Sequence, residues 1–156
     1  MKLKPSTLVY WLLAGLVLGL SASQFFVSTG SRFPASELNL QITLVAIGLG
    51  IFLATLPIAR YRRQVEKQPD ARLKRPNPLF SFRLFTLARS INLTSAGFIG
   101  WHLGQISWLF AFSVSPQGLV TPTLLGLVSS ILMLLGGVLA ESNCRLPKDP
   151  EDGAAA

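Results

Sequence analysis

The chain has 156 residues, half of them hydrophobic and only 13% charged, with a mean hydropathy of +0.49 and a formal net charge of +7. This composition excludes a soluble globular core, and the confinement of the bases between apolar stretches argues against nucleic acid as a partner. The single cysteine, Cys144, excludes an intrachain disulfide framework.

The first apolar stretch covers residues 8–27, and its length matches the ~20 residues that cross a bilayer as a helix. Lys2 and Lys4 precede it, and the small residues at 21–23 resemble the cleavage site of a secretory leader. Because the apolar run continues to Val27, an uncleaved anchor is preferred over a cleaved leader. Residues 28–38 then form a short connection with turn residues, which we expect to face outward.

The second span is predicted over residues 40–59, and the segment that follows it, residues 60–89, carries the whole formal charge of the protein. It holds nine of the fourteen bases against Glu66 and Asp70. A basic segment between apolar stretches is typical of a cytoplasmic loop held inside by the positive-inside bias. Within it we expect irregular backbone over 64–77, after at most one helical turn, and a segment at headgroup level over 79–87.

The third span is placed at residues 90–112 and the fourth at residues 121–140, with Pro122 in its first turn. The sequence thus predicts a four-span membrane domain over residues 1–146 and a disordered acidic tail over 147–156. Four spans place both termini in the cytoplasm, in agreement with the scarcity of bases in the outer connections.

Small residues are spaced for close helix packing on the first and third spans. A right-handed GxxxG spacing lets two backbones approach, and dimerisation through the same face is the alternative use. The glycines concerned are Gly15, Gly19, Gly97, Gly100 and Gly104.

The third span also carries polar residues on another side, namely Asn92, His102 and Gln105, together with Ser95. Polar side chains at membrane depth face protein or a water-filled cavity. Their functional interpretation is a proton or solute path in which His102 titrates; the alternative, which we prefer, is hydrogen bonding between helices. A lone histidine supplies neither a metal site nor a catalytic pair, so no metal, cofactor or enzymatic activity is expected.

Charged residues at the inner ends of the spans have two interpretations. Arg89 and Glu141 lie at similar depth and could pair, although snorkelling of Arg89 to lipid phosphates is favoured. The basic segment could fix topology alone, or contact anionic lipid headgroups and a membrane or cytoplasmic protein. The bases assigned to such contacts are Arg60, Arg62, Arg63, Arg72, Lys74, Arg75, Arg83 and Arg89.

Short motifs across the chain resemble a known family. They are Asn77-Pro78-Leu79, Arg83, Leu87-Ala88-Arg89, Ser95-Ala96-Gly97, Gly100-Trp101, Gly104, Glu141 and Cys144-Arg145-Leu146-Pro147. This set is similar to the actinobacterial family of small four-helix membrane proteins catalogued as domain of unknown function 3180. The resemblance implies a bacterial plasma-membrane protein without an established activity, often encoded beside folate-biosynthesis genes. His102 matches no motif of that family.

The residues and the resemblance together predict an all-α integral membrane four-helix bundle. The expected function is that of a non-catalytic scaffold or regulator acting through the basic inner loop. A small carrier or channel subunit is the alternative, and a carrier of this size would need to form a homo-oligomer and to place polar groups at the midplane.

Overall fold

A computed structural model describes residues 5–67, 77–112 and 117–144, which form four α-helices. They are α1 (Pro5–Ser28), α2 (Leu38–Lys67), α3 (Pro78–Ala111) and α4 (Gln117–Asn143). The predicted all-α four-helix class is confirmed. Helix α3 begins at a strong start signal, because the Asn77 side chain accepts a hydrogen bond from the Leu79 amide at 3.0 Å and Pro78 occupies the first helical position.

Three of the described helices are long and apolar enough to cross a membrane: α1, α2 over Leu38–Val65 and α4 over Gly118–Asn143. The predicted third span lies in α3, which does not meet that criterion. Its polar side chains are buried inside the bundle, so its composition reflects its neighbours more than a lipid environment. A crossing by α3, and the side of the membrane on which the termini lie, stay predictions.

Helix α3 lies at the centre of the bundle, against α1, α4 and α2, while α1 packs on α3 alone among the described elements. Residue numbers rise in the same direction along the contact between α1 and α3: Gly15 meets Gly97, and Gly19 meets Trp101. These two helices therefore run parallel. Helices α2 and α4 are also parallel, and α3 and α4 are antiparallel. The N-terminal end of α1, the basic end of α2 and the C-terminal end of α4 therefore share one end of the bundle.

Backbone contact at glycines holds both parallel pairs together. A Cβ atom on Gly100 or Gly104 would overlap the carbonyl of Leu12 or Leu16 in α1, and a Cβ on Gly15 would overlap that of Gly97. Between α2 and α4, a Cβ on Gly136 would overlap the backbone of Gly48. The close approach expected from the GxxxG spacing is thus present inside one chain.

Residues 79–89 belong to α3 and are packed in the bundle, so the expectation that a loop extends to Arg89 is wrong. Leu84 and Ala88 are buried with Ile51 and Ile58 of α2 and with Ala140 of α4. They lie with Ser81 on one face of α3. Because Ser81 is polar and Ala88 is small, this face shows no apolar periodicity in the sequence. Leu79, Phe80, Phe82 and Leu87 are exposed on the outer side of the same turns, where contact with the interfacial layer stays a prediction.

Two other boundaries also differ from the sequence prediction. Helix α2 continues to Lys67, about two turns past the predicted end of the span at Ala59, and its residues 64–67 are the single helical turn that was allowed before irregular backbone. Helix α4 begins at Gln117, which places Pro122 inside the helix and not in its first turn. Pro122 has no N–H to donate to the Gly118 carbonyl. The missing hydrogen bond costs little free energy, because Gly118 is exposed near the helix end. The tail over 147–156 lies outside the described residues.

The glycine contacts predict a position-specific cost for a single methyl group. Gly100→Ala should lower the free energy of unfolding in detergent by about 1–3 kcal/mol, because the backbone it meets cannot rotate away. Gly50→Ala is the matched control: it is also in a helix, nothing lies within 4 Å of its added Cβ, and helix propensity favours alanine by up to ~1 kcal/mol. Thermal unfolding of both variants makes the comparison, and equal melting temperatures would contradict it.

The direction of the helices predicts the topology. Reporter fusions after Ala35 and Gln117 should report the outside, and fusions after Asp70 and Asp152 the cytoplasm, if α3 crosses the membrane like its neighbours. Fusions after Asp70 and Gln117 flank α3 and test it directly. The same location for both would show that α3 does not cross.

Candidate functional site

The interior of the bundle is polar along α3. Asn92 is 1% exposed, and Ser95, His102 and Gln105 are completely buried. These side chains continue the stripe begun by Ser81, Leu84 and Ala88, so one face of α3 turns toward α4 along its whole length. The polar residues selected from the sequence thus share one buried face, and the question is which partners each has.

At the basic end of the bundle, Asn92 donates a hydrogen bond of 3.0 Å from Nδ2 to the Glu141 carboxylate of α4. Gly137 leaves the space that the Asn92 amide occupies. The sequence left open a pair between Arg89 and Glu141, and the structure instead gives Glu141 an amide donor one turn deeper in α3. The Arg62 guanidinium donates to the Ser142 carbonyl at 3.0 Å, which ties the end of α2 to α4.

His102 sits between α3 and α4 with its two ring nitrogens in different surroundings. Nδ1 lies 2.8 Å from the Phe98 carbonyl and 3.2 Å from the Ser130 hydroxyl. Since a carbonyl only accepts, the neutral ring carries its proton on Nδ1, and Nε2 is left as an acceptor. Nε2 points at Gly126, where an added Cβ would overlap both the imidazole and the Ser36 side chain.

The connection between α1 and α2 closes the other end of the bundle over this histidine. Gln105 donates to the Pro34 carbonyl at 2.6 Å, and Gln41 donates to the carbonyls of Ser36 and Pro122, both at 3.0 Å. The Phe33 ring packs on Trp108 at a centroid distance of 5.8 Å. Two side-chain amides and one aromatic contact therefore fix this connection as a plug across the bundle.

Three buried polar atoms near the plug lack a hydrogen-bond partner within the described part of the chain: Ser36 Oγ, His102 Nε2 and Gln105 Oε1. Each can accept a hydrogen bond, and a buried acceptor without a partner costs free energy. The arrangement is suited to a small neutral hydrogen-bond donor. In the described ranges no three His, Cys, Asp or Glu side chains are grouped to hold a metal ion.

The basic residues divide into two groups by exposure. Arg60 and Arg63 on α2 and Arg83 on α3 are exposed, whereas Arg62 and Arg89 are half-buried. They lie at the end of the bundle to which α2 and α3 extend. Arg72, Lys74 and Arg75, the other predicted contact residues, lie outside the described residues.

Cys144 follows the last turn of α4 and is buried against the inner core, at 7% exposure. Burial raises the pKa of its thiol, because the thiolate loses hydration. A raised pKa lowers the fraction of thiolate, which is the nucleophilic form.

Several residues that build the interior were not selected from the sequence. They are Ser23, Gln24, Ser36, Gln41, Gly48, Gly126, Ser130, Gly136 and Gly137. Only Ser23 had a local signal, since it extends the four-residue spacing of Gly15 and Gly19. The others depend on which helices meet, which no single-helix pattern encodes.

Comparison with known proteins gives one match. The model of a family described as "Protein of unknown function (DUF3180)" matches residues 8–148. No curated protein and no solved structure matches the chain.

The contact between Gly126 and His102 predicts an energetic coupling. Gly126→Ala should cost about 1–3 kcal/mol of unfolding free energy, and less in a His102→Ala background, where the imidazole no longer occupies the space. Gly118→Ala in the same helix has no atom near its Cβ and serves as control. A double-mutant cycle by thermal unfolding measures the coupling, and strict additivity would disprove the contact.

Proposed function

Because the chain belongs to the DUF3180 family of unknown function, we propose its role from its own residues: a non-catalytic, multi-pass membrane protein. It scaffolds or regulates a membrane or cytoplasmic partner through its basic inner segment. Its location is the bacterial plasma membrane, with α3 as a fourth crossing helix.

The observation that carries this proposal is that the described ends of the basic segment lie on helices. Helices α2 and α3 both continue beyond the predicted spans, α2 to Lys67 and α3 back to Pro78, so the bases at each end of the segment are held on helices. Leu84 and Ala88 anchor the α3 extension to α2 and α4. Exposed Arg60, Arg63 and Arg83 therefore project from fixed backbones, which lowers the entropy lost when a partner orders them.

The polar interior supports a structural role for the bundle below this surface. Asn92, Gln41 and Gln105 each donate to a group on another helix or on the plug. Interhelical hydrogen bonds in membranes contribute about 0.6 kcal/mol on average. Together they fix one arrangement of the helices and so the geometry of the basic surface.

Anionic lipid headgroups are the first partner of such a surface. Each base close to an anionic leaflet contributes about 1 kcal/mol to the attraction, and this attraction is screened by salt. An acidic face on a protein would bind by the same chemistry. The proposal therefore combines a lipid contact common to all exposed bases with a protein contact that is specific.

A small carrier or channel subunit is the second candidate, and a specific observation favours it. His102 Nε2, Ser36 Oγ and Gln105 Oε1 are buried acceptors without a described partner, and a solute path needs polar groups of this kind inside the bundle. Proteoliposome flux of protons or small neutral solutes tests it, with His102→Leu as the variant. Flux that depends on His102 would replace the scaffold as the leading function.

Neutralising the middle of the basic segment tests the scaffold. Arg72, Lys74 and Arg75 changed together to Gln leave the bases nearest the helix ends in place, so insertion should be normal. Binding to anionic liposomes should weaken by up to ~3 kcal/mol, less at high salt, and crosslinking to native partners should fall. Changing Lys2 and Lys4 to Gln is the control: it removes two bases outside the basic segment and should leave partner crosslinking unchanged. A triple variant that binds partners and complements a deletion strain as the parent does would show that Arg72, Lys74 and Arg75 take no part in partner binding; if Arg60, Arg63 and Arg83 changed together to Gln also leave partner binding unchanged, the scaffold proposal fails.

A further inference from the structure

An apolar groove of about 220 Å³ runs along the outer surface between α2 and α4. Its floor is formed where Gly48 and Gly136 meet backbone to backbone, because neither residue has a side chain to fill the space. Larger apolar side chains rise on both sides of this contact. Those walls include Leu49, Phe52, Leu132, Leu135 and Leu139.

The side chains that form the walls of the groove are exposed on the outside of the bundle. Leu49 is 56% exposed and Leu135 is 53% exposed, so each presents an open apolar face. Both helices are long and apolar enough to cross a membrane, which places the groove at hydrocarbon depth. From Val45 to Phe52 it extends about 10 Å along the α2 axis, less than the ~15 Å of hydrocarbon in one leaflet. The dimensions suit part of one acyl chain.

The same face of α2 continues into two exposed bases. Eighteen residues are five turns of an ideal helix, so ideal geometry would place Arg63 on the side of Val45 and Arg60 within about 20° of Leu49, with Pro57 between them. Arg60 is about 12 Å and Arg63 about 16 Å beyond Phe52 along the axis. Long arginine side chains reach the headgroup layer from such positions. One end of the apolar groove therefore faces the two exposed bases, Arg60 and Arg63.

We propose that this groove, together with Arg60 and Arg63, binds one anionic phospholipid. The two guanidinium groups bind the phosphate, which arginine holds with paired N–H donors, and the terminal part of one acyl chain reaches the Gly48–Gly136 floor, about 18 Å from Arg60 along the helix axis. Charge complementarity selects the occupant, because a neutral lipid gains the slot but not the two bases. The inference deepens the proposed function by naming a lipid class and site, and it rests on α2 ending at an anionic leaflet.

A photoreactive lipid locates the bound chain. The purified full chain in neutral detergent is incubated with phosphatidylglycerol carrying a diazirine in one acyl chain, irradiated and mapped by peptide mass spectrometry. Labels should concentrate on residues 45–52 and 132–139. Labels spread evenly over the outward faces of all helices would overturn the proposal, since they would describe ordinary lipid contact.

Variants separate the slot from the charges. Arg60→Gln with Arg63→Gln should lower the affinity for phosphatidylglycerol about 25-fold at low salt, at about fivefold per base, and leave phosphatidylcholine binding unchanged. Arg83→Gln, an exposed base on α3 away from the groove, is the charge control and should change affinity less than a single groove base. An equal loss per base in all these variants would show that binding follows net charge alone.

Filling the slot is the second arm. Leu135→Trp should at least halve the labelling of both groove segments, whereas Leu125→Trp, an equally exposed change elsewhere on α4, should leave it as in the parent. Both sites are exposed, so neither substitution disturbs the core. If Leu135→Trp instead converts a dimer to a monomer by mass photometry, a second copy occupies the groove and the lipid proposal fails.

The groove and the proposed scaffold can fail separately. The Leu135→Trp variant keeps every base of the scaffold surface, so native partner crosslinking measured on it tests the scaffold alone. Lost partner crosslinking with intact lipid labelling in the neutralised loop variant would keep both conclusions. Intact partner crosslinking with no groove labelling would remove only the lipid site.

Discussion

Contact between helix backbones at glycine is the interaction on which the rest of this bundle depends. Lipid offers no hydrophobic drive to bring apolar helices together, so association relies on close packing and polar contacts. Here the packing is concentrated at two places, Gly100 and Gly104 against α1, and Gly48 against Gly136. Each contact joins a parallel pair, α1 with α3 and α2 with α4. These two contacts set which face each helix of a pair turns toward the other.

The two pairs are joined through an antiparallel interface of different chemistry. Between α3 and α4, glycines serve to make room for polar groups: Gly137 for the Asn92 amide and Gly126 for the His102 ring. A small residue on one helix and a polar residue on the other thus form a complementary set. This accounts for the composition of α3, which is too polar for a lipid-exposed helix and suited to a central one.

The sequence predicted the four helices because apolar length and charge distribution are local properties. It also selected Gly15, Gly19 and the α3 glycines, since their spacing repeats within single helices. The sequence prediction was wrong over residues 79–89, which are helical. The buried residues there are Ser81, Leu84 and Ala88, and a mixture of polar, large and small residues shows no apolar periodicity. Gly48 and Ser130 were also missed, because a lone small residue gains its meaning from the helix it meets. The plug over His102 was also missed, because it forms only when the α1–α2 connection folds back onto the bundle, and such a long-range contact leaves no local pattern in the sequence.

Among the described helices α1 packs only on α3, and this has a consequence for how the protein is made. The glycines that receive α1 follow it in the chain by roughly 80 residues, which a ribosome takes about 4–16 s to add at ~5–20 residues per second. During that interval α1 has left the ribosome and none of the surface it will pack on exists. Its conspicuous Gly15–Gly19–Ser23 face must then be covered by lipid or by the insertion machinery. The order of synthesis therefore leaves α1 without its packing partner until α3 arrives, and it leaves α2 waiting in the same way for α4.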